Sequence, residues 1–431
     1  MDLDDIVTTT SELIQIDTTN YGPAQAGPGE RAAAEYVAAR LESAGLTPLL
    51  LEAAPGRTSV VANWSGRDDS QPALLIHGHL DVVPAEAADW RVAPFAGAVE
   101  DDCVWGRGAV DMKDFDAVVL STVAQMTRAG QAPRRTIRLV FTADEEAGGG
   151  LGAIWLAETH PELIADCREA VGEVGGFSLT VAGRRLYLIE TAEKGLMWLN
   201  LVAEGTAGHA SMRQPDNAVT TLARAVAALG DHRFPVKLHP AQRAFLDAVS
   251  TAVGADLTST DPEATLARLG SIARMIGAAM SNTVNPSMLQ AGYKVNVVPG
   301  QASAAADGRF LPGERDDFLD TVKRLVSDRV RVEITQEQPS VEAPWGTPLT
   351  EVMERAIRAY DPEAGVTPYL LSAGTDAKGW SRLGLTCYGF TPLKLPADLD
   401  FTGLFHGVDE RVPIESLAFA GQVFERFLTI A

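Results

Sequence analysis

Apolar residues along the chain fall in short blocks whose spacing switches between helical and extended. RAAAEYVAARLESAG (31–45) has helical spacing and stops at a glycine. TPLLLEA (47–53) and TSVVANW (58–64) follow as two strands, then PALLIHGHLDVVP (72–84), an almost wholly apolar strand ending in polar residues. DMKDFDAVVLSTVAQMTRAG (111–130) reads as a helix, TIRLVFTA (136–143) as another buried strand, and GAIWLAET (152–159) as a helix. Helices alternating with strands apolar on both faces predict an α/β sheet covered on both sides. In such sheets ligands sit at the carboxyl ends of the strands.

Near residue 192 the pattern changes. KGLMWLNLVAEG alternates, as a strand with one buried face does. Two or three helices are expected between 215 and 273, strands around 283–310, a helix at 314–327, and then the strand VRVEITQ. This is an α+β unit of antiparallel character. From about 340 the α/β pattern resumes with PLTEVMERAIRAY, a glycine-rich GTDAKGW, the strand LTCYGF and a last helix after Pro413. The predicted organisation is one α/β domain in two parts, 1–191 and 339–431, interrupted by a second domain at 192–338.

With 431 residues, 46% of them hydrophobic, the chain can bury a sizeable core and favours two domains. A formal charge of −21 argues against nucleic acid or anionic lipid as a partner. Cys103, Cys167 and Cys387 are widely spaced, which fits a reducing compartment. MDLDDIVTTT lacks the basic and apolar regions of a signal peptide, and no apolar run nears the roughly 20 residues of a membrane span. The cytoplasm is the expected location.

Five segments carry candidate chemistry. In HGHLDVVP, His77, His79 and Asp81 share one parity at a strand end, which suits a metal ligand with its orienting acid, a general base, or a structural His–Asp pair. Asp111 in GRGAVDMKD sits where a glycine-rich turn enters a helix and could equally cap it. TADEEAGG sets Asp144, Glu145 and Glu146 in a row after a buried strand, where the bland alternative is a wet acidic loop. Glu173 precedes glycines in GEVGG, and His406 lies before the final helix in LFHGVDE. Imidazole with carboxylate is the ligand set for zinc, less specifically manganese or cobalt. A two-metal hydrolase also needs a carboxylate that moves protons without binding metal, and adjacent glutamates can divide those jobs.

GHLDVVP, GRGAVDMKD, TADEEAGG, GEVGG, GHAS, GTDA and HGVDERV, in this order, resemble the M20 family of metallopeptidases from about residue 5 to the C-terminus. The resemblance implies a zinc-peptidase-like α/β catalytic domain, its mixed sheet covered by helices, interrupted by an α+β lid and dimerisation domain. It implies two divalent metal ions, zinc preferred and cobalt or manganese possible. His79 and Glu173 would hold one ion, Glu146 and His406 the other, and Asp111 would bridge them. Asp81 would orient His79 and Glu145 would be the general base, while His77 and Asp144 carry no family role. The family's Glu-Gly-Gly-Gly here reads Glu173-Val174-Gly175-Gly176. His209 in GTAGHASM would reach a partner subunit's oxyanion in a homodimer formed through 192–338. Arg309 in ADGRF would bind the substrate carboxylate, with Asn282, Gly374 and Thr375 as further substrate contacts. The implied reaction is hydrolysis of an N-acyl amino acid or of a carboxy-terminal peptide bond. The alternatives are a dipeptidase requiring a free amine and a non-catalytic binding homologue.

Overall fold

The computed structural model describes residues 2–22, 25–254, 256–257 and 277–431. It opens with α1 (Leu3–Gln15), which Asp2 caps by accepting from Asp5 N, and α2 (Arg31–Ser43). Strands β1 (Leu49–Ala54), β2 (Arg57–Trp64) and β3 (Ala73–His79) follow. Helix α3 (Lys113–Arg128) leads to β4 (Ile137–Thr142), and α4 (Ala153–Thr159) to β5 (Cys167–Gly172), β6 (Ser178–Val181) and β7 (Arg184–Glu193). Next come β8 (Gly195–Glu204), α5 (Ala218–Asp231), α6 (Pro240–Val253), β9 (Thr283–Ala291), β10 (Gln301–Phe310), α7 (Arg315–Val326) and β11 (Val330–Gln338). The chain closes with β12 (Val341–Glu342), α8 (Pro348–Arg358), β13 (Gly365–Leu371), α9 (Ala377–Ser381), β14 (Thr386–Gly389) and α10 (Ile414–Ile430).

Ten strands form one mixed sheet in the order β1-β2-β4-β3-β5-β14-β7-β12, with β6 and β13 also paired to β7. Its centre is parallel, β4 and β5 flanking β3. All seven residues of β3 are buried, and its two faces feed different cores. Leu74 and Ile76 pack in the cluster with α1, α3 and α10; Ala73 and Leu75 pack with Leu156 and Trp380 of α4 and α9. Burial of each such leucine or isoleucine contributes about 1.5–3 kcal/mol, which explains the continuous apolar run. The strand ends at His79, short of the expected Pro84. Beyond it the chain leaves the sheet, and Val82 pairs instead with Thr19.

A second, antiparallel sheet runs β9-β10-β8-β11. Along β10 burial alternates, so Ala302, Ala304, Ala306 and Phe310 face a core shared with Leu222 of α5 and Phe318 and Val322 of α7. Of the helices expected between 215 and 273, α5 covers this sheet. Helix α6 instead packs against β13 of the large sheet, its Phe245, Leu246 and Val249 joining the main core. The remainder of that stretch, 258–276, lies outside the described residues. Residues 293–300 (YKVNVVPG), expected as a strand, contribute only the short pairing of Val297–Val298 with Gly208–His209.

Two strands toward the far end of the large sheet, β7 and β13, have no counterpart among the strands expected from the sequence. In β7 the acids Glu190 and Glu193 are buried among apolar residues, so its polar letters conceal a core strand.

Candidate metal centre

The carboxyl ends of β3, β4 and β5 lie side by side and deliver His79, the Asp144–Glu146 turn and Glu173 to one place. The turn before α3 brings Asp111, and the loop before α10 brings His406. His79 Nδ1 lies 3.0 Å from the backbone carbonyl of Asp81, which can only accept, so that nitrogen carries the proton. Nε2 is left facing Asp111 Oδ1 at 3.0 Å and Glu173 Oε2 at 3.4 Å. His406 Nε2 lies 3.2 Å from both Asp111 Oδ2 and Glu146 Oε2. Each oxygen of Asp111 therefore meets a different imidazole, one on either side.

Two ligands on a tetrahedral ion, each about 2.0–2.1 Å from it, stand roughly 3.3 Å apart. The spacings above are of that size, and Glu146 Oε1 is buried with no hydrogen-bond partner. His79, Asp111 and Glu146 bring ligand atoms within 4.8 Å of one another, and so do His79, Glu145 and Glu173. The donor set thus fits two cations.

Electrostatics agree. Burial, with Asp111 nearby, pushes the Glu146 carboxyl up; burial with Glu173 does the same to Glu145, and burial raises Glu173 to about 8. Burial disfavours the His79 imidazolium, yet the facing Glu173 and Asp111 hold it well above its ordinary range. Hydrogen bonds from His406 and His79 hold Asp111 low in spite of burial, and Asp111 and Glu146 raise His406 to about 10. Two imidazoles balance only part of the gathered acid, and bound cations would supply further positive charge.

Residues 75–430 match Peptidase family M20/M25/M40. The chain belongs to this family. It is a hydrolase acting on peptide or amide bonds. It is 29% identical over 382 residues to a probable carboxypeptidase S-like 2 of Dictyostelium discoideum, covering 83% of this chain and 71% of that one. It is 28% identical over 380 residues to the N-fatty-acyl-amino acid synthase/hydrolase PM20D1 of Xenopus tropicalis, covering 83% and 72%. Its fold resembles that of the M20 family metallo-carboxypeptidase Sso-CP2 from Sulfolobus solfataricus, with a TM-score of 0.74, 19% identity, and 100% and 99% of the two chains covered.

In this M20 chain the three acids of the turn differ in surroundings. Glu145 and Glu146 open on two cavities, whereas Asp144 is buried in the left-handed region (φ 65°). Asp144 accepts from Leu151 N at 2.9 Å and from Asn20 Nδ2 at 3.1 Å, and so holds the glycine loop. Asp81 accepts from the backbone N–H of both Glu145 (3.0 Å) and Glu146 (3.1 Å), while its carboxylate stands 3.6 Å from His79 Nδ1. His77 is buried edge-on to Trp380, and burial lowers it to about 3.

The first cavity, 210 Å3, is lined by Arg309, Gln336, Gln338, Trp198, Gly374 and Thr375 beside the two glutamates. The Arg309 fork is held by Asp307, at 2.7 Å to Oδ1 and 3.0 Å to Oδ2. Thr375 gives both its N–H and its hydroxyl to Glu193. Asn282 is not brought to either cavity: its Oδ1 accepts from Leu311 N at 2.8 Å. His209 is exposed, paired with Ser211 Oγ at 2.8 Å, and also lies outside both cavities.

Several supporting residues escaped the sequence reading. Glu410, wholly buried, accepts from Val110 N at 2.8 Å and pairs with Arg107 Nη1 at 2.5 Å. Arg107 Nη2 donates to Gly407 O at 3.1 Å, so this pair ties the Asp111 turn to the His406 loop. Both lie within quoted motifs, Arg107 in GRGAVDMKD and Glu410 four residues after the histidine in HGVDERV.

Proposed function

We propose that this M20 hydrolase cleaves the amide bond of an N-acyl amino acid or of a carboxy-terminal residue, using two divalent ions. His79, Asp111 and Glu173 would hold one ion and Asp111, Glu146 and His406 the other, zinc being the best match to the ligand types. Such ions, when bound, polarise the amide carbonyl and make water a stronger acid. Glu145 takes a proton from the attacking water and returns it to the nitrogen as the C–N bond breaks, leaving a carboxylate and an amine. Asp81 fixes the Glu145–Glu146 turn through both backbone N–H groups, and its carbonyl orients His79. Arg309 exchanges Asp307 for the substrate carboxylate. His209 of a second copy, brought by a dimer through 192–338, would support the oxyanion.

The observation that carries this reading is Asp111, with one oxygen toward each imidazole and Glu145 beside it on both cavities. The carboxypeptidase-like and N-acyl-amino-acid relatives support the acyl side of the choice. A dipeptidase is the second reading, favoured by Asp400 on the wall of the larger cavity, where an acid could meet a free amine.

The test is a panel of N-acyl amino acids and free-amine dipeptides, run with defined metals and with chelator. N-acyl cleavage lost on chelation is expected; cleavage of dipeptides alone would overturn it. Glu145→Gln should keep two metals and lose turnover. Loss of metal would make Glu145 a ligand instead.

A further inference from the structure

Two cavities meet at the metal centre, sharing Glu145, Glu146, Ala373, Gly374 and His406. They differ in size and in chemistry. The one holding Arg309 measures 210 Å3 and mixes polar side chains (Arg309, Gln336, Gln338) with Ile154, Leu196 and Trp198. The other measures 670 Å3, within the usual range of ligand pockets at about 300–1,000 Å3. Its walls include Val174, Phe177, Tyr369, Leu371 and Phe405.

The aromatic wall is braced. Phe177 and Phe405 both pack on Phe401, with ring centroids 5.1 and 5.2 Å away, and Phe177 meets Tyr369 edge-on at 6.0 Å. The Tyr369 hydroxyl is spent on the Val174 carbonyl, so its ring offers the cavity only apolar surface. Thr402 at the same wall donates to Asp400 at 3.4 Å. A ligand filling this space meets this apolar and aromatic surface beside the acids Asp111, Glu173 and Asp400.

We propose that this second cavity is the acyl-specificity chamber. It takes a straight apolar acyl chain whose carbonyl sits at the metal centre, while the amino-acid carboxylate enters the Arg309 cavity. Phe177, Leu371 and Phe405 are the residues that set this preference. The inference rests on the N-acyl reading above and narrows it to acyl groups longer than acetyl. A chain running along Phe177 and Phe405 buries methylenes one after another, so each adds to the transition-state binding until the chamber is full.

The experiment measures kcat/KM for one amino acid acylated with acetyl, butanoyl, hexanoyl, octanoyl and decanoyl groups, using the metal-loaded full chain. A rise of roughly two- to fourfold per added methylene over the first members supports the proposal. Acetyl cleavage with a flat or falling series overturns it and leaves the N-acyl reading standing. No N-acyl cleavage at any length overturns both. Thr402→Trp, which puts bulk into the chamber from its wall, should flatten the series beyond hexanoyl. The readout is the slope of log kcat/KM against chain length, which a uniform loss of activity does not move. An unchanged slope in this variant would place the chain elsewhere and overturn the proposal. If the variant does not fold, the wild-type series alone decides.

Discussion

Lys378 Nζ lies 3.2 Å from Glu193 Oε2, and both side chains are buried. The same nitrogen donates to the carbonyls of Lys194 (2.7 Å) and Pro339 (3.0 Å). One lysine thus grips both crossings between the two sheets, the outgoing one after β7 and the returning one after β11. Glu193 also accepts from Thr375, so the crossings are tied to the Gly374–Asp376 turn on the cavity wall. Lys378→Met leaves Glu193 buried without its charge partner and should cost about 3–5 kcal/mol of stability in denaturant unfolding. Pairing it with Glu193→Gln should recover part of the loss, giving a coupling of at least about 1 kcal/mol in the double-mutant cycle. Additive losses would show that the contact contributes little.

Lys194, adjacent in sequence, gives a pH signature. It is buried, donating to Ala278 O and Ser281 O, and desolvation with Arg309 nearby lowers its ammonium to about 7. The unfolded lysine titrates near 10.4. Below pH 7 both states are protonated and the folded state bears the full burial cost. Between about 7 and 10.4 the unfolded chain binds the extra proton, so this term favours folding increasingly as pH rises. Lys194→Met removes the term. The stability of wild type relative to Lys194→Met should therefore climb by a few kcal/mol from pH 7 to 10 in urea melts. A flat difference would mean that the lysine keeps its ordinary titration.

The Arg107–Glu410 pair should act on metal affinity. It joins the Val110 backbone, next to Asp111, to the loop that carries His406, without being a ligand. Glu410→Gln keeps the shape and weakens the grip on both. Metal affinity is expected to fall about 10- to 100-fold, read by competition with a chelating dye, with a larger effect on the ion next to His406. Equal affinities in variant and wild type would make the pair a packing feature only.

How much of this was visible in the sequence varied with where the partners lie. β3 and β4 were legible because strands buried on both faces need unbroken apolar runs, and Leu74, Leu75 and Ile76 supply one. β7 was hidden because Glu190 and Glu193 are buried acids that local spacing reads as surface. The candidate metal-centre residues stand out in the sequence as imidazoles and carboxylates after strands or before helices. Their supports do not, since Arg107, Lys378 and Glu410 reach backbone groups, and Asn20 the carboxylates of Asp81 and Asp144, far away in the chain. Asp144 shows the same limit: as a letter it matched Glu145, and only the fold separates a loop-holding acid from one facing the cavities.

Arg309 provides a test of substrate orientation. Its fork lies on the smaller cavity and is held by Asp307, whose Oδ2 also accepts from Trp198 Nε1 at 3.1 Å. If the substrate carboxylate takes the place of Asp307, the arginine contributes equally to ground state and transition state. Arg309→Met should then raise KM roughly 10- to 100-fold with kcat little changed, the size expected for losing a charge-assisted hydrogen-bond pair. Arg309→Lys should fall between, because a point charge cannot reproduce the planar fork. Asp307→Asn removes a competitor and should lower KM by roughly two- to fivefold, a smaller factor because the pair is partly solvent-exposed. Steady-state kinetics on an N-acyl amino acid and on its amide decide the matter. The amide should respond little to either substitution at Arg309, and an equal response from both would show that the carboxylate binds elsewhere.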